Sequence, residues 1–340
     1  MGNALSANLG QSPARQASIG AGISENADCT TINKVCASGM KAVTLAAQQI
    51  QLGLEHVAVA GGMESMSNAP HYTSLRRGLK LGHLEYIDGL LKDGLTDAYN
   101  GLHMGMAAER CASKFALSRE MQDAYALGSY QKAAAATANC KFNSEIIPIA
   151  NNINSGDSMI STDEDIFKII PDKMARLKPV FDPKGTITAA NASNLNDGAA
   201  AVVLASAAAV SDYNLMPVAR IVAYADAAQA PEWFTTAPSL AIDKVLKLAA
   251  LKTEDIDFFE INEAYAAVVL ANQQILNLDS AKINLYGGAV AIGHPLGASG
   301  ARIICTLLSV LKQENGRYGL AVICNGGGGA SAIIIENINA

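Results

Sequence analysis

Two stretches of the chain place apolar residues every three or four positions, the spacing of a helix with one buried face. These positions are Met40, Val43, Ala47 and Ile50 in the first stretch, and Ala301, Ile304, Leu308 and Leu311 in the second. Gly53 follows the first stretch, where a helix commonly ends. The pattern therefore predicts two amphipathic helices, one near each end of the chain.

The two helices belong to an internal repeat. Residues 37–41, Ala-Ser-Gly-Met-Lys, recur as Ala-Ser-Gly-Ala-Arg at 298–302. In each copy a helical pattern leads into a short apolar strand and a glycine turn, at 57–62 in the first copy and 320–329 in the second. Two similar α/β halves are therefore predicted, each contributing one helix N-terminus and one glycine turn.

Other apolar patterns complete these halves. Strand-like runs cover 198–204, 219–224 and 257–261, and helical periodicity covers 119–137 and 237–251. The first of these strands closes the first half, and the second opens the second half.

Residues 67–195 differ from both halves, because they are rich in turn residues and hold most of the basic side chains. We interpret them as an inserted domain. Within it, 151–166 is polar and is predicted to form an exposed loop. The predicted organisation is an N-terminal half at 1–66 and 196–216, a loop domain at 67–195 and a C-terminal half at 217–340.

Composition limits the class of function. Half of the 340 residues are hydrophobic and 16% are charged, which suits a close-packed α/β protein of roughly two domains. The longest apolar run, 198–210, is shorter than the roughly 20 residues that span a bilayer, so no membrane segment is predicted. A net charge of −6 argues against a general nucleic-acid binder, which would present a basic surface.

The six cysteines form no Cys-x-x-Cys pair, so neither a zinc site nor a disulfide framework is predicted. Reduced thiols suit an intracellular compartment. No secretory, mitochondrial or peroxisomal signal can be read at either end of the sequence. We therefore expect a cytoplasmic protein, with a mitochondrial location left open.

Cys36 comes directly before the first repeated helix, where the helix dipole and unpaired N–H groups favour a thiolate and would lower the pKa of the thiol. The matching loop of the second copy, 287–297, holds His294 among glycines. If the halves pack about a pseudo-twofold axis, the two loops face each other, and His294 can serve as the base for a Cys36 nucleophile. The plainer alternatives are a small buried cysteine and a hydrogen-bonded structural histidine.

Cys324 follows the strand-like run 320–323 and begins the sequence Cys-Asn-Gly-Gly-Gly-Gly. This sequence lacks the Lys-Ser/Thr of a P-loop and does not match G-x-G-x-x-G, so nucleotide binding is not predicted. The glycines can instead expose the thiol and supply N–H groups for an oxyanion hole. Asn262 follows the predicted strand 257–261 and is a further candidate for the site. The structural alternative is that Asn262 caps the start of a helix.

Six motifs together resemble the thiolase family, and the resemblance extends over almost the whole chain. They are V-C-A-S-G-M-K at 35–41, G-G-M-E-S-M-S at 61–67, A-N-A-S-N-L-N-D-G-A-A-A at 190–201, N-E-A-Y-A at 262–266, G-G-A-V-A-I-G-H-P-L-G at 287–297 and C-N-G-G-G-G-A-S at 324–331. The resemblance is nearest to the short-chain biosynthetic members, which join two acetyl-CoA molecules into acetoacetyl-CoA and CoA. It implies a thiolase fold of two β-α-β-α-β halves in α-β-α-β-α layers with an inserted loop domain. It also implies a homotetramer built as a dimer of dimers, and a place in lipid metabolism and the mevalonate pathway.

The resemblance assigns the catalytic roles residue by residue. Cys36 is implied to be the nucleophile that becomes acetylated, and His294 to activate it. Cys324 is implied to remove the α-proton of the second acetyl-CoA. The enolate oxygen is assigned to His294 and a water held by Asn262, and the acyl oxygen to the N–H groups of Cys36 and Gly326.

Substrate contacts also follow from the resemblance. His103 and Met104 match a segment that borders the acyl pocket, and Ser193 matches a contact to the pantetheine of CoA. Four basic residues are candidates for the CoA phosphates, with a solvated basic face as the alternative: Lys168, Lys173, Arg176 and Lys178. Members that depend on potassium bind the ion through positions that match Tyr130, Ala189, Ala190, Ala192 and Val290.

Several alternatives stay open at this stage. A degradative 3-ketoacyl-CoA thiolase of broad chain length is one, although His103 and Met104 favour a short-chain enzyme. A ketosynthase-like condensing enzyme is another, and the second cysteine, Cys324, argues against it. The resemblance begins at Met1, where family members already carry several tens of residues, including a first strand and helix, so a truncated, non-catalytic CoA-binding product is a third. The segment Trp233-Phe234-Thr235 stands where relatives that accept 2-methyl-branched substrates carry Phe-Pro, and Thr235 leaves the use of those substrates open.

Overall fold

A computed structural model describes residues 1–150 and 159–339. Its helices are α1 (Pro13–Gly20), α2 (Ser38–Gln51), α3 (Met104–Lys114), α4 (Arg119–Ala138), α5 (Pro171–Met174), α6 (Ala207–Asp212), α7 (Ala237–Ala249), α8 (Ala266–Leu276), α9 (Ala289–Ile292) and α10 (Leu296–Gln313). Its strands are β1 (Val57–Ser65), β2 (His71–Tyr72), β3 (Ile87–Asp88), β4 (Ile149–Ala150), β5 (Met159–Ile160), β6 (Asp197–Ala205), β7 (Ala219–Ala228), β8 (Phe258–Ile261), β9 (Tyr318–Asn325) and β10 (Gly329–Asn337). Short π- and 3₁₀-helical turns lie at Leu90–Leu95, Asp165–Phe167, Pro231–Thr236, Thr253–Asp255 and Ser280–Lys282.

Two sheets of unequal size belong to the two halves. The C-terminal sheet has the strand order β7-β10-β9-β8, in which β8 and β9 are parallel and the other neighbours are antiparallel. Among the described residues the N-terminal sheet has two antiparallel strands, β1 and β6, and Gly2 joins it through single parallel bridges to Ile32 and Gly62. The first half therefore forms a smaller sheet than the second.

The two repeated helices, α2 and α10, pack against each other between the sheets. Their apolar faces share one buried cluster with residues of β1, β9 and β10. A Cβ atom placed on Gly39 would lie 2.9 Å from the backbone nitrogen of Ala301, and one on Gly300 would lie 2.5 Å from that of Met40. These reciprocal close approaches relate the two copies of the repeat as a pseudo-twofold pair, and they require glycine at both positions.

The outer faces of the two sheets differ. On the C-terminal sheet, α7 covers the face opposite α10 and buries Ile242 and Val245 against β7 and β10. On the N-terminal sheet, Val59 and Val203 are 47% and 68% exposed. The described layers are thus the N-terminal sheet, the α2–α10 pair, the C-terminal sheet and the helices packed on it.

Most predicted elements form within a few residues of their expected bounds, including α2, α4, α7, α10, β1, β6, β7 and β8. The sequence patterns missed β10, which is buried along its whole length and so lacks the alternation of apolar and polar residues that marks a half-exposed strand. In the predicted exposed loop 151–166, residues 151–158 lie outside the described residues, and Ile166 is buried at 2% exposure. No helix in the described ranges is both long and apolar enough to cross a membrane.

Two helices of the inserted segment hold the loop that leads to Ser193. On α3, Glu109 accepts hydrogen bonds from the backbone N–H groups of Thr186 and Ile187 at 2.8–2.9 Å. On α4, Asp123 accepts from the side-chain amide of Asn191 at 2.8 Å. The loop is therefore fixed by buried or half-buried polar contacts on both sides.

Candidate active site

Cys36 lies in a tight turn that ends where α2 begins. The preceding residue, Val35, has φ of +49°, a left-handed conformation that β-branched residues rarely adopt. Ser38 fastens this turn, because its Oγ accepts from the N–H of Lys34 at 2.8 Å and donates to the carbonyl oxygen of Val35 at 2.6 Å. The turn therefore presents the thiol in one orientation at the N-terminus of the helix.

The surroundings of Cys36 keep it a thiol in the free protein. Burial raises the pKa of the Cys36 thiol to about 12, while the backbone N–H groups of Gly326 and of Cys36 itself act in the opposite direction and Glu64 adds to the rise. The expectation of a lowered pKa is therefore wrong, because removing the thiolate from water outweighs the N–H groups at the helix end. Attack by Cys36 then needs a base that takes the proton.

His294 lies between α9 and α10, two residues before α10 begins. Its Nδ1 lies 2.6 Å from the hydroxyl of Ser299, and that hydroxyl donates to the carbonyl oxygen of Pro295 at 2.9 Å. The hydroxyl proton is thus committed, so Ser299 accepts from Nδ1–H and the other ring nitrogen, Nε2, carries a free electron pair. Nε2 is buried with no hydrogen-bond partner among the described residues. Burial, with a smaller contribution from Arg302, lowers the pKa of His294 to about 4, so the ring is a neutral base.

The loops that carry Cys36 and His294 meet, as the pseudo-twofold repeat predicted. Cys36 packs against the buried cluster that contains Leu296, two residues after His294. Glu64, at the end of β1, accepts from the N–H of Gly297 at 2.8 Å and from two N–H groups near the N-terminus of the chain. The end of β1 is therefore tied directly to the beginning of α10.

Cys324 lies in β9, one residue before the strand ends, and is 1% exposed. Burial raises its pKa, and the charge of the neighbouring Cys36 adds to the rise. The turn after β9 needs glycine at Gly327 and Gly328, whose φ angles are +85° and +84°. The turn lets the backbone of Gly326 approach Cys36, and the two thiols are brought into one site.

Asn262 follows β8, and its backbone N–H bonds the carbonyl oxygen of Val322 at 3.0 Å. Both polar atoms of its side chain are buried and have no partner in the described part of the chain. The helix-capping alternative is wrong, because α8 begins at Ala266 and Tyr265 occupies the capping position. A buried amide of this kind marks a place for a water molecule or a substrate oxygen.

Sequence reasoning missed Glu263, which organises the loop before His294. Its carboxylate accepts from Tyr125 Oη at 2.8 Å, Asn284 Nδ2 at 2.9 Å, Ser129 Oγ at 2.8 Å and the N–H of Val290 at 3.0 Å. The signal available in the sequence was a single acidic residue inside the apolar segment 261–271. A carboxylate in such a segment is expected to be buried, and a buried carboxylate needs several hydrogen-bond donors.

Aromatic side chains form one wall of the site. The ring of His103 stacks on Phe181 with centroids 4.5 Å apart, and Phe181 meets Tyr265 edge-on at 6.1 Å. Met104 and Tyr265 share a buried cluster with Cys324. His103 and Met104 therefore lie beside the catalytic candidates, where the resemblance placed the acyl pocket.

The candidate contacts to CoA differ in their surroundings. Ser193 donates its N–H and its hydroxyl to the carbonyl oxygen of Ala264, at 3.1 and 3.0 Å, which places it against the segment after Asn262. Lys168 is exposed and paired with Glu164 and Asp165 at 3.0 and 2.7 Å. The other three basic candidates are also exposed: Lys173, Arg176 and Lys178.

The candidate potassium ligands come partly together. Tyr130, Ala190 and Val290 lie in one buried cluster, and Ala192 is bridged to Tyr265. Ala189 adjoins this group and is exposed. Phenol and carbonyl oxygens are donors that suit a hard cation, so the residues present fit such an ion. In the described ranges no cluster of His, Cys, Asp or Glu is arranged to hold a metal.

Comparisons with known proteins point to one family along almost the whole chain. Residues 1–208 match the family model of the N-terminal thiolase domain, and residues 215–337 match that of the C-terminal thiolase domain. The acetyl-CoA acetyltransferase of Schizosaccharomyces pombe is 52% identical over 99% of this chain and 86% of that protein. Acetyl-CoA acetyltransferase 2 of Arabidopsis thaliana is 53% identical over 98% and 84%. The crystal structure of the Acat5 thiolase from Ascaris suum in complex with coenzyme A superposes with a TM-score of 0.94, at 47% identity, over 99% of this chain and 86% of that one.

Proposed function

Because the chain belongs to the thiolase family, we propose that it is an acetyl-CoA C-acetyltransferase, an acyltransferase that reversibly condenses two acetyl-CoA molecules to acetoacetyl-CoA and CoA. Relatives named acetyl-CoA acetyltransferase, at about half identity over nearly the whole chain, support this activity. The observation that carries the mechanism is the pairing of a neutral Cys36 thiol, held by the N–H of Gly326, with a facing loop that holds His294 as a neutral base.

In the first half-reaction Cys36 attacks the carbonyl carbon of acetyl-CoA while Nε2 of His294 takes the thiol proton. The oxygen that becomes negatively charged is stabilised by the N–H groups of Cys36 and Gly326. The carbon–sulfur bond to CoA then breaks, and the CoA thiolate, which is a good leaving group and departs without acid, takes the proton of the Cys324 thiol. Cys324 is left as the thiolate, and the proton from Cys36 stays on His294. The products are acetyl-Cys36 and free CoA.

In the second half-reaction the Cys324 thiolate removes an α-proton from a second acetyl-CoA. The enolate oxygen is held by His294 and by a water on the side chain of Asn262, whose amide atoms are otherwise unsatisfied. The enolate carbon attacks the carbonyl carbon of acetyl-Cys36, the bond to Cys36 breaks, and acetoacetyl-CoA is released. Cys324 keeps the α-proton and the Cys36 thiolate takes its proton back from His294, which restores all three groups.

Finer features of this activity are also proposals. CoA lies over the loop domain at 67–195, with its pantetheine on Ser193 and its phosphates near the exposed lysines, of which Lys173 is the stronger candidate because Lys168 is paired with acids. A potassium ion held near Tyr130 and Val290 would add positive charge beside the CoA site. Assembly as a homotetramer, a cytoplasmic location and a role in the mevalonate pathway complete the proposal.

The direct test is mass spectrometry of the intact protein after brief incubation with acetyl-CoA. We expect one added acetyl group per chain, located on Cys36. Cys36→Ser should abolish it, since an alcohol is much harder to ionise than a thiol. Cys140→Ser, which changes an exposed thiol, is the matched control and should acetylate normally. Acetylation at Cys29, Cys111 or Cys324 would overturn the assignment.

A further inference from the structure

Asp226, on β7, bridges two lysines that flank the turn of Cys36. Its Oδ1 lies 2.5 Å from Lys34 Nζ, and its Oδ2 lies 2.7 Å from Lys41 Nζ. Ser331, the cross-strand partner of Asp226 on β10, donates its hydroxyl to Oδ1 at 2.6 Å and accepts from Lys34 Nζ at 2.8 Å. Lys34 precedes Cys36 by two residues, and Lys41 is in the first turn of α2. One carboxylate of the C-terminal sheet thus binds residues on both sides of the turn that carries Cys36.

This cluster is tighter than an ordinary surface ion pair. The side chains of Lys34 and Lys41 are 24% and 25% exposed, and that of Asp226 is 39% exposed. Although burial alone would raise it, the pKa of Asp226 is lowered to about 2 by hydrogen bonds from the two lysines and from Ser331. Two cations near the N-terminus of a helix oppose its dipole, so they need a fixed anion between them.

The turn that these lysines flank is conformationally strained. Val35, between Lys34 and Cys36, has φ of +49°, and a β-branched residue holds such a conformation only where its surroundings enforce it. Ser38 fastens the turn to α2 locally. Nothing in that local bonding sets the position of the turn relative to the other half of the protein.

That position matters because the oxyanion donors come from different halves. The N–H of Cys36 belongs to the N-terminal half, and the N–H of Gly326 lies on the turn after β9 in the C-terminal sheet. Asp226 lies on β7 of the sheet whose strand β9 leads into the turn of Gly326. Resting on the function proposed above, we infer that Asp226 is a positioning residue, which holds the Cys36 turn through Lys34 and Lys41 so that both N–H groups reach the acyl oxygen.

Two reactions of the same thiol can separate positioning from general stability. Acetylation by acetyl-CoA passes through a tetrahedral oxyanion, which needs both N–H groups. Alkylation by iodoacetamide forms a bond from Cys36 Sγ to carbon while the carbon–iodine bond breaks and iodide leaves, and no oxyanion arises. A misplaced turn therefore slows the first reaction much more than the second.

The experiment measures both rates at Cys36 in the full chain, by mass spectrometry, for wild type, Asp226→Asn and Lys34→Met. We expect each variant to acetylate about 10–100-fold more slowly, the effect of a displacement of roughly 1 Å, while alkylation changes less than about threefold. Glu336→Gln is the matched control, because Glu336 on β10 also bridges two cations, Arg220 on β7 and Arg317 just before β9, away from Cys36. Both of its rates should stay within about twofold of wild type.

The outcomes are distinguishable. If wild type acetylates Cys36 and folded Asp226→Asn acetylates it at the same rate, the positioning role is overturned. The same conclusion follows if acetylation and alkylation fall in proportion in Asp226→Asn. If Asp226→Asn fails to fold, Lys34→Met decides by the same criterion, since it leaves the Lys41 ion pair in place. Absence of acetylation in wild type would instead contradict the proposed function itself.

Discussion

The Nδ1 atom of His294 lies 2.6 Å from the hydroxyl oxygen of Ser299, five residues along the chain on the first turn of α10. Because the same hydroxyl donates to the carbonyl oxygen of Pro295 at 2.9 Å, it can only accept from the imidazole. The contact therefore selects the tautomer in which Nε2 is free to take a proton. In the other copy of the repeat the equivalent residue, Ser38, fastens the turn of Cys36.

Ser299→Ala should lower turnover by about 10–100-fold, because the imidazole loses the acceptor that fixes its tautomer and orientation. The measurement is the rate of acetoacetyl-CoA formation at saturating acetyl-CoA. Ser309→Ala on the same helix is the matched control, since it removes a buried hydroxyl that bonds Glu145. It should cost similar stability with little change in rate. Equal losses of rate in both variants would contradict the positioning of His294.

The depressed pKa of His294 should make stability fall in acid. The group titrates near pH 6.5 when unfolded and near 4 when folded, so the unfolded state binds the proton more readily. Its contribution is therefore complete above pH 6.5 and is lost as the pH falls to about 4, by up to about 3 kcal/mol. Urea unfolding at pH 7 and pH 4.5 should show a smaller difference in His294→Gln than in wild type. An identical difference would mean that His294 does not titrate in this way.

Asn262→Leu should impair condensation while leaving the protein as stable as before. Both amide atoms of Asn262 are buried without partners, so an apolar replacement removes no hydrogen bond of the described structure. Asn272→Leu provides the contrast, because Asn272 bonds Ser239 and two backbone carbonyls and its loss should cost about 1–3 kcal/mol. Thermal unfolding and turnover are measured on both. A marked loss of stability in Asn262→Leu would argue that the side chain is structural.

Cys324→Ala should leave acetylation of Cys36 largely intact and slow condensation by about 10²–10⁴-fold, the usual contribution of a positioned acid or base. Acetyl-enzyme would then accumulate during incubation with acetyl-CoA, which intact-mass measurement detects. Cys111→Ala is the control, because Cys111 lies buried in the same cluster and loses the same atom. If Cys324→Ala reduces both half-reactions equally, or condenses normally, the two-cysteine mechanism is wrong.

Gly62→Ala should destabilise the protein by about 1–3 kcal/mol or more, because a Cβ there would overlap the carbonyl oxygen of Gly297 at the start of α10. Gly128→Ala makes the same chemical change on α4, where a Cβ meets open space. There the better helix propensity of alanine should add up to about 1 kcal/mol. The free energy of unfolding is measured for both. Similar effects in the two variants would contradict the close contact between β1 and α10.

Much of this protein can be predicted from its sequence because the relevant patterns are local. Helical spacing located α2 and α10, and the repeated Ala-Ser-Gly segment related them as two copies of one unit. Cys36 at a helix start and His294 in the matching loop followed from that repeat. The motifs then indicated the family, which the comparisons confirm. The domain boundaries and the individual catalytic roles stay predictions.

Other properties arise only when distant segments pack together. The helix start at Cys36 suggested a lowered pKa, yet burial between the two halves raises it, because desolvation depends on everything packed around the sulfur. The carboxylate of Glu263 and the bridge from Asp226 to Lys34 join residues more than a hundred positions apart, and no local spacing encodes them. Periodicity and the internal repeat therefore determined which segments form helices and strands and which loops face each other. The tertiary structure decided the protonation states and the alignment of the site, because both depend on burial and contacts between distant segments.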